Sequence, residues 1–108
     1  MNDEVMKWLA DKLAWEHVTH GCYMNEDGAL MIASGELTER SAWDVMCKFR
    51  LEIEWDNHYT DIYAGDAICA YWDGEGFSQT VDADPIAAVT AAVEALYERE
   101  QKDVSHST

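Results

Sequence analysis

From Phe49 to Asp56 apolar and polar residues alternate without a break. Phe49, Leu51, Ile53 and Trp55 interleave with Arg50, Glu52, Glu54 and Asp56. A period of two sends the first set to one face of a β-strand and the second to the other. Such a strand needs a partner sheet and a cover for its apolar face. Turn signals follow at short intervals. Asn57-His58 and Ala64-Gly65-Asp66 predict turns around a short strand from Tyr59 to Tyr63. Ala67–Trp72 predicts a third strand, Asp73-Gly74-Glu75-Gly76 a tight turn, and Phe77–Val81 a fourth strand.

The remaining segments supply helices. Asn2 is a suitable N-cap for a first helix, with Val5, Trp8, Leu9 and Leu13 on one stripe and an expected end near His17, before Gly21. Thr38, or Ser41 paired with Asp44, is expected to start a second helix that ends near Lys48 and buries Ala42, Trp43, Met46 and Cys47. Asp84-Pro85 is a strong helix start, and Ile86, Val89, Val93 and Leu96 repeat at helical spacing behind it. That helix is expected to fray after about Lys102. Asn25-Glu26-Asp27-Gly28 separates Cys22-Tyr23-Met24 from Ala29-Leu30-Met31-Ile32 and suggests a hairpin, and Gly35 breaks the chain again. The fold class expected is α+β: an antiparallel three- to four-stranded meander packed with N-terminal, central and C-terminal helices, residues 1–108 forming a single domain.

Charge narrows the functional classes. The chain has 108 residues and a net charge of −15. Leu51–Glu98 holds eleven acids and no Lys or Arg, while residues 1–50 carry nine acids against five bases. Acidity of this kind costs stability through self-repulsion, so function or a salty environment is expected to maintain it. It disfavours direct binding to nucleic acid or anionic membrane and favours a basic partner. No apolar run approaches the about 18 residues of a membrane span. Met1-Asn2-Asp3-Glu4 places acids where a secretory signal needs bases, and Cys22, Cys47 and Cys69 form no CxxC pair. A cytoplasmic protein with reduced, mostly buried thiols is expected.

The leading candidate surface is the acid stripe Glu52, Glu54 and Asp56, extended by Asp61, Asp73 and Glu75. Alternate residues of a strand lie about 6.6–6.8 Å apart, the scale of a phosphate ladder. An ordinary solvated sheet face explains acids equally well, but solvated faces usually mix signs. Trp55, Tyr59, Tyr63, Tyr71 and Trp72 interleave with these acids. Trp55 is expected in the core, and one of Tyr71 and Trp72 must be exposed and available to Arg or Lys. His17, His20 and Cys22, with His58, have metal-like spacing on one side only, so no metal or other cofactor is expected. Asp73-Gly74-Glu75-Gly76 lacks the pattern of a calcium loop, and no nucleophile elbow is present, so no enzyme is expected.

The order of these signals resembles the phage ABA sandwich domain, a family of small phage and prophage proteins. The likeness rests on Trp8 and Trp15 in the first segment, Ser41-Ala42-Trp43 leading to Val45 and Phe49, Tyr71-Trp72 beside a turn, and Asp84-Pro85-Ile86-Ala87-Ala88 through Ala95-Leu96. The 22–34 hairpin stands where the family has a shorter loop. The resemblance implies a phage source and an α+β fold, for a family largely of unknown function. By analogy of source and charge it suggests an anti-CRISPR-like inhibitor that mimics nucleic acid, acting in the host cytoplasm as a monomer or small homo-oligomer. Its expected partner is a basic host protein of a nucleic-acid-binding defence complex. The alternatives are an immunity protein or antitoxin against a basic nuclease, and an accessory phage protein whose acidity serves solubility.

Overall fold

The computed structural model describes the backbone of residues 1–58 and 61–106 and the side chains of residues 1–55 and 66–102. Helix α1 (Asp3–Leu13) starts where Asn2 Oδ1 accepts a hydrogen bond from the Val5 amide. It ends at Leu13, not near His17, because Ala14 takes a left-handed conformation that swings Trp15 into the core. The residues after it pair instead. Strands β1 (Glu16–Thr19), β2 (Cys22–Met24), β3 (Leu30–Ala33) and β4 (Glu36–Leu37) form one antiparallel sheet in that order. The hairpin around Asn25–Gly28 is present, with Asn25 Oδ1 accepting from the Asp27 and Ala29 amides. Strands β1 and β4 carry no strong sequence signal, being short and exposed along β1. The two outer turns of this sheet meet at Gly21, whose carbonyl accepts from the Gly35 amide at 2.9 Å. Gly21 has φ +74°, and a Cβ there would sit 3.1 Å from Gly35 N.

Helix α2 (Glu39–Phe49) opens with a capping box. Thr38 Oγ1 accepts from the Ser41 amide, Ser41 Oγ accepts from the Thr38 amide, and the Thr38 hydroxyl also donates to the Leu30 carbonyl. Of the two starts the sequence allows, Thr38 is the one used. Thr38→Ala removes a cap and a tie to β3 together. It should cost about 1 kcal/mol in urea unfolding, and an unchanged midpoint would mean the box is not holding the helix start. The buried side of α2 carries Ser41, Ala42 and Val45, with Met46 and Phe49 packed at its margin. Trp43 and Cys47 face solvent, contrary to the sequence expectation, because they lie one step further round the helix. Cys22 is half-buried, so only Cys69 is a fully buried thiol, and all three are free.

Strands β5 (Glu52–His58), β6 (Asp61–Trp72) and β7 (Phe77–Asp82) form a second antiparallel sheet, ordered β5-β6-β7. Phe49 belongs to α2 rather than to the strand. The expected turns at 57–58 and 64–66 do not form. Strand β5 runs through His58, and β6 is continuous through Ala64-Gly65-Asp66, whose break signal appears as a register shift between Asp56 and His58. Tyr59, at the start of the short strand the sequence suggests, lies outside the described residues.

Helix α3 (Pro85–His106) starts at Asp84, whose carboxylate accepts from the Ile86 amide, and its helical backbone runs on beyond Lys102. It lies at the centre of the molecule. One side packs on β6 and β7, where the Thr80 hydroxyl donates to the Ala88 carbonyl at 2.6 Å. The other side meets α1, α2 and β4. Ala88, Val89, Ala92 and Val93 are buried between these layers and join Leu9, Met31, Ile32, Val45, Leu51, Ala67 and Cys69 in one hydrophobic cluster. The fold is α+β, as the sequence implies: β5-β6-β7 is the expected three-stranded antiparallel meander, and the four-stranded sheet β1–β4 is added to it. No helix among the described residues is long and apolar enough to cross a membrane.

Candidate functional site: the open face of the second sheet

The register of the second sheet sorts its side chains. Cross-strand partners share a face. Ile53, Cys69 and Thr80 lie in one row, as do Trp55 with Ala67 and Tyr71 with Ser78, and this is the face that α3 covers. The opposite face carries the rows Glu52–Ala70–Gln79 and Glu54–Ile68–Val81, together with Trp72 opposite Phe77. Nothing covers it among the described residues: Trp72 is 52% exposed, Val81 56% and Phe77 74%. The Trp72 and Phe77 rings pack edge to face at 5.2 Å. A row of exposed apolar side chains thus runs beside the acids of β5. A cleft of about 590 Å³ opens at one end of this face between Trp72, Phe77, Glu52, Arg50, Phe49 and Leu96.

Strand β7 is what makes this face apolar, and it is inside out by simple pattern rules. Ser78 and Thr80 point to the helix, while Phe77 and Val81 point to solvent. The small polar pair lets α3 approach closely, and Thr80 bonds it directly. The register that produces this is set in the Asp73–Gly76 turn. Asp73 Oδ1 accepts from the Glu75 and Gly76 amides, and Oδ2 accepts from the Ser78 hydroxyl at 2.6 Å. Gly74, at φ +97°, leaves the space that the Arg99 guanidinium fills. The Ser78 hydroxyl first, then the two amides, hold the Asp73 carboxyl down at about 2.

A carboxylate so depressed contributes stability above its unfolded value, and that contribution drains away as pH falls through the folded value. The Asp73 carboxyl carbon should therefore titrate near 2 by NMR in the parent. In Ser78→Ala the midpoint should climb towards the ordinary 3.8. A parent midpoint already near 3.8 would show that the turn is not organised by this side chain.

The sequence-predicted residues divide as follows. Glu52 and Glu54 are exposed on the open face, and Trp72 shares it. Tyr71 points the other way and packs against the core, which settles the pair in favour of Trp72 as the exposed aromatic. Asp73 and Glu75 sit in the turn at one end of β6, Asp73 committed to the turn itself. Asp61 begins β6 at the other end, about 35 Å away along an extended strand. The side chains of Asp56, Asp61, His58, Tyr59 and Tyr63 lie outside the described residues. Trp55, expected in the core, is 53% exposed. It lies on the helix-side face, but α3 runs over β6 and β7 and leaves the edge strand β5 partly bare.

Ile68, Phe77 and Val81 are the residues that sequence reasoning missed. Their signal was present in the alternation of Phe77-Ser78-Gln79-Thr80-Val81, but only the turn register shows which set faces outward.

Two bases reach the ends of this sheet, Arg50 at the cleft and Arg99 against Gly74, but none lies within it. All seven Lys and Arg are in helices or, for Arg50, at the C-cap of α2, so neither sheet contributes one. Lys12 pairs with Glu100 at 3.3 Å and Arg40 with Asp27 at 3.8 Å. The His17 ring packs edge to face on Tyr23 at 5.1 Å rather than turning to His20 and Cys22. No three His, Cys, Asp or Glu side chains among the described residues converge to hold a metal. Burial pushes the Cys69 thiol up, with its side-chain hydrogen bond to Thr80 pulling partly against this.

No protein-family model matches the chain, and no curated protein or solved structure matches it.

Proposed function

We propose that this is a non-catalytic binding protein that lays the open face of its second sheet against a basic nucleic-acid-binding surface of a partner protein and blocks it. The observation that carries the reading is the pairing, on one uncovered face, of Glu52 and Glu54 with the exposed side chains of Trp72, Phe77 and Val81. Carboxylates at strand spacing meet a row of Lys and Arg, and aromatic side chains beside them take guanidinium faces and exclude water. Acidity kept for solubility alone does not account for three large apolar residues in the same patch. With the resemblance to the phage ABA sandwich domain, the reading becomes a phage-encoded, anti-CRISPR-like inhibitor acting in the host cytoplasm. An immunity protein against a basic nuclease uses the same surface chemistry on another partner.

The test is capture of partners from a host lysate on the immobilised protein. A carboxylate-led interface weakens steeply with salt, since the screening length shrinks from about 10 Å at 0.1 M to about 3 Å at 1 M. The captured protein should be basic, should elute with salt, and should be displaced by duplex DNA or RNA. A partner that stays bound through both treatments refutes nucleic-acid mimicry.

A further inference from the structure

The free edges of the two sheets are not alike. Strand β1 is short and its register slips between His17 and Thr19. Strand β4 has two residues. Strand β5 carries Glu52 and Glu54 and slips beyond Asp56. These are the usual guards against edge-to-edge pairing. Strand β7 has none of them. Its six residues pair with β6 in unbroken register from Phe77 opposite Trp72 to Asp82 opposite Ala67. It contains no Pro, Gly, Lys or Arg, and no charge before Asp82. The Asp73 amide donates to the Gly76 carbonyl. The alternation of the antiparallel ladder then turns the backbone groups of Ser78 and Thr80 to β6, and those of Phe77, Gln79 and Val81 to the free edge.

We propose that the β7 edge is a strand-addition site for an extended basic segment of the partner protein. It rests on the reading of an acidic binding protein and says how the partner is gripped. The added strand bonds to the free N–H and C=O groups of Phe77, Gln79 and Val81. Its outward side chains extend the apolar row of Phe77 and Val81. Asp82 and Asp84 mark the α3 end of the edge and Glu75 the turn end, where Arg99 lies against Gly74 and offsets part of the charge, so Lys or Arg chiefly at the Asp82 end of the segment complements it. A second copy of this chain fits poorly. Antiparallel pairing of β7 with itself brings together two chains that each carry −15 and sets the Asp82 of one copy towards the Glu75 of the other.

The probe is a short acetylated and amidated peptide that alternates Val and Thr between terminal pairs of Lys. A second peptide of the same sequence is N-methylated at alternate residues, which keeps its charge and side chains but removes donors on one edge. Binding is read by calorimetry, with amide exchange followed by NMR. The plain peptide should bind and slow exchange at Phe77, Gln79 and Val81. The methylated one should bind weaker by about tenfold or more, since several backbone hydrogen bonds are lost. Gln79→Pro, at a position whose N–H faces outward, should melt like the parent and lose the peptide. Equal affinity for the two peptides, or no binding of either, overturns strand addition. It leaves the acidic-face reading standing, because that reading depends on Glu52 and Glu54 and is tested on the captured partner. A free protein that sediments as a dimer, and becomes a monomer on Gln79→Pro, assigns the edge to a second copy and also overturns the proposal.

Discussion

Val93→Asp should leave the protein unfolded, or nearly so, at room temperature. Val93 is fully buried on α3, which packs on the second sheet on one side and on α1, α2 and β4 on the other. Its neighbours Val89 and Ala92 are equally enclosed, and Ala88 is tied to Thr80. Removing the isopropyl group forfeits about 1.5–3 kcal/mol of burial. The carboxylate adds a buried charge, and all seven bases lie at helix surfaces or caps rather than among Val89, Ala92 and Val93. Together the two effects exceed about 4 kcal/mol, against a total of about 5–15 for a typical domain. The self-repulsion of a −15 chain leaves little reserve. Circular dichroism melts of Val93→Asp and of the neighbouring exposed variant Glu94→Gln provide the comparison. Glu94→Gln should shift stability by less than about 0.5 kcal/mol. If both melt with the parent, α3 is not the central layer.

The second large effect is on binding. Glu52→Gln/Glu54→Gln keeps side-chain length and polarity on an exposed face and leaves Leu51 buried and Ile53 packed against the core. The fold should hold or gain slightly, because two like charges on the same strand face are removed. Affinity for the captured basic partner should fall by one to two orders of magnitude, since a close interfacial charge pair contributes on the order of 1.5 kcal/mol or more. The loss should shrink at high salt, where these pairs are already screened. Melting and affinity measured on the same preparation separate the outcomes. An intact fold with undiminished affinity makes the stripe a solvated face and ends the mimicry reading.

Several elements were legible because their signals are local. Asn2, Thr38 and Asp84 cap the helices through hydrogen bonds to amides two or three residues away, and those bonds need no tertiary partner. The Asp73–Gly76 turn and the Asn25–Gly28 turn are likewise held by their own side chains. The strand alternation of Leu51–Glu54 put Glu52 and Glu54 on the solvent side with no further information.

What failed depended on distant segments. The end of α1 and the existence of β1 follow from Trp15 entering the core and from pairing with β2, neither of which a local pattern encodes. Gly65 stayed within β6 because pairing with β5 on either side of it, at Asp66 and at Asp61, spans the irregularity.

The sequence by itself determined the starts of α1 and α3, the Asn25–Gly28 and Asp73–Gly76 turns, the acidic face of β5 and the α+β class, because each is governed by groups within a few residues of one another. The tertiary structure decided which side of β7 faces water, and that Trp55, Phe77 and Val81 are exposed while Tyr71 is not. The turn register sorts the side chains of β7 into two faces, and the position of α3 decides which face is covered: α3 lies over β6 and β7, leaves Trp55 on β5 half bare, and leaves Trp72, Phe77 and Val81 open on the opposite face. A residue's hydrophobicity states what burial would gain. Only the position of the covering helix determines whether burial is available.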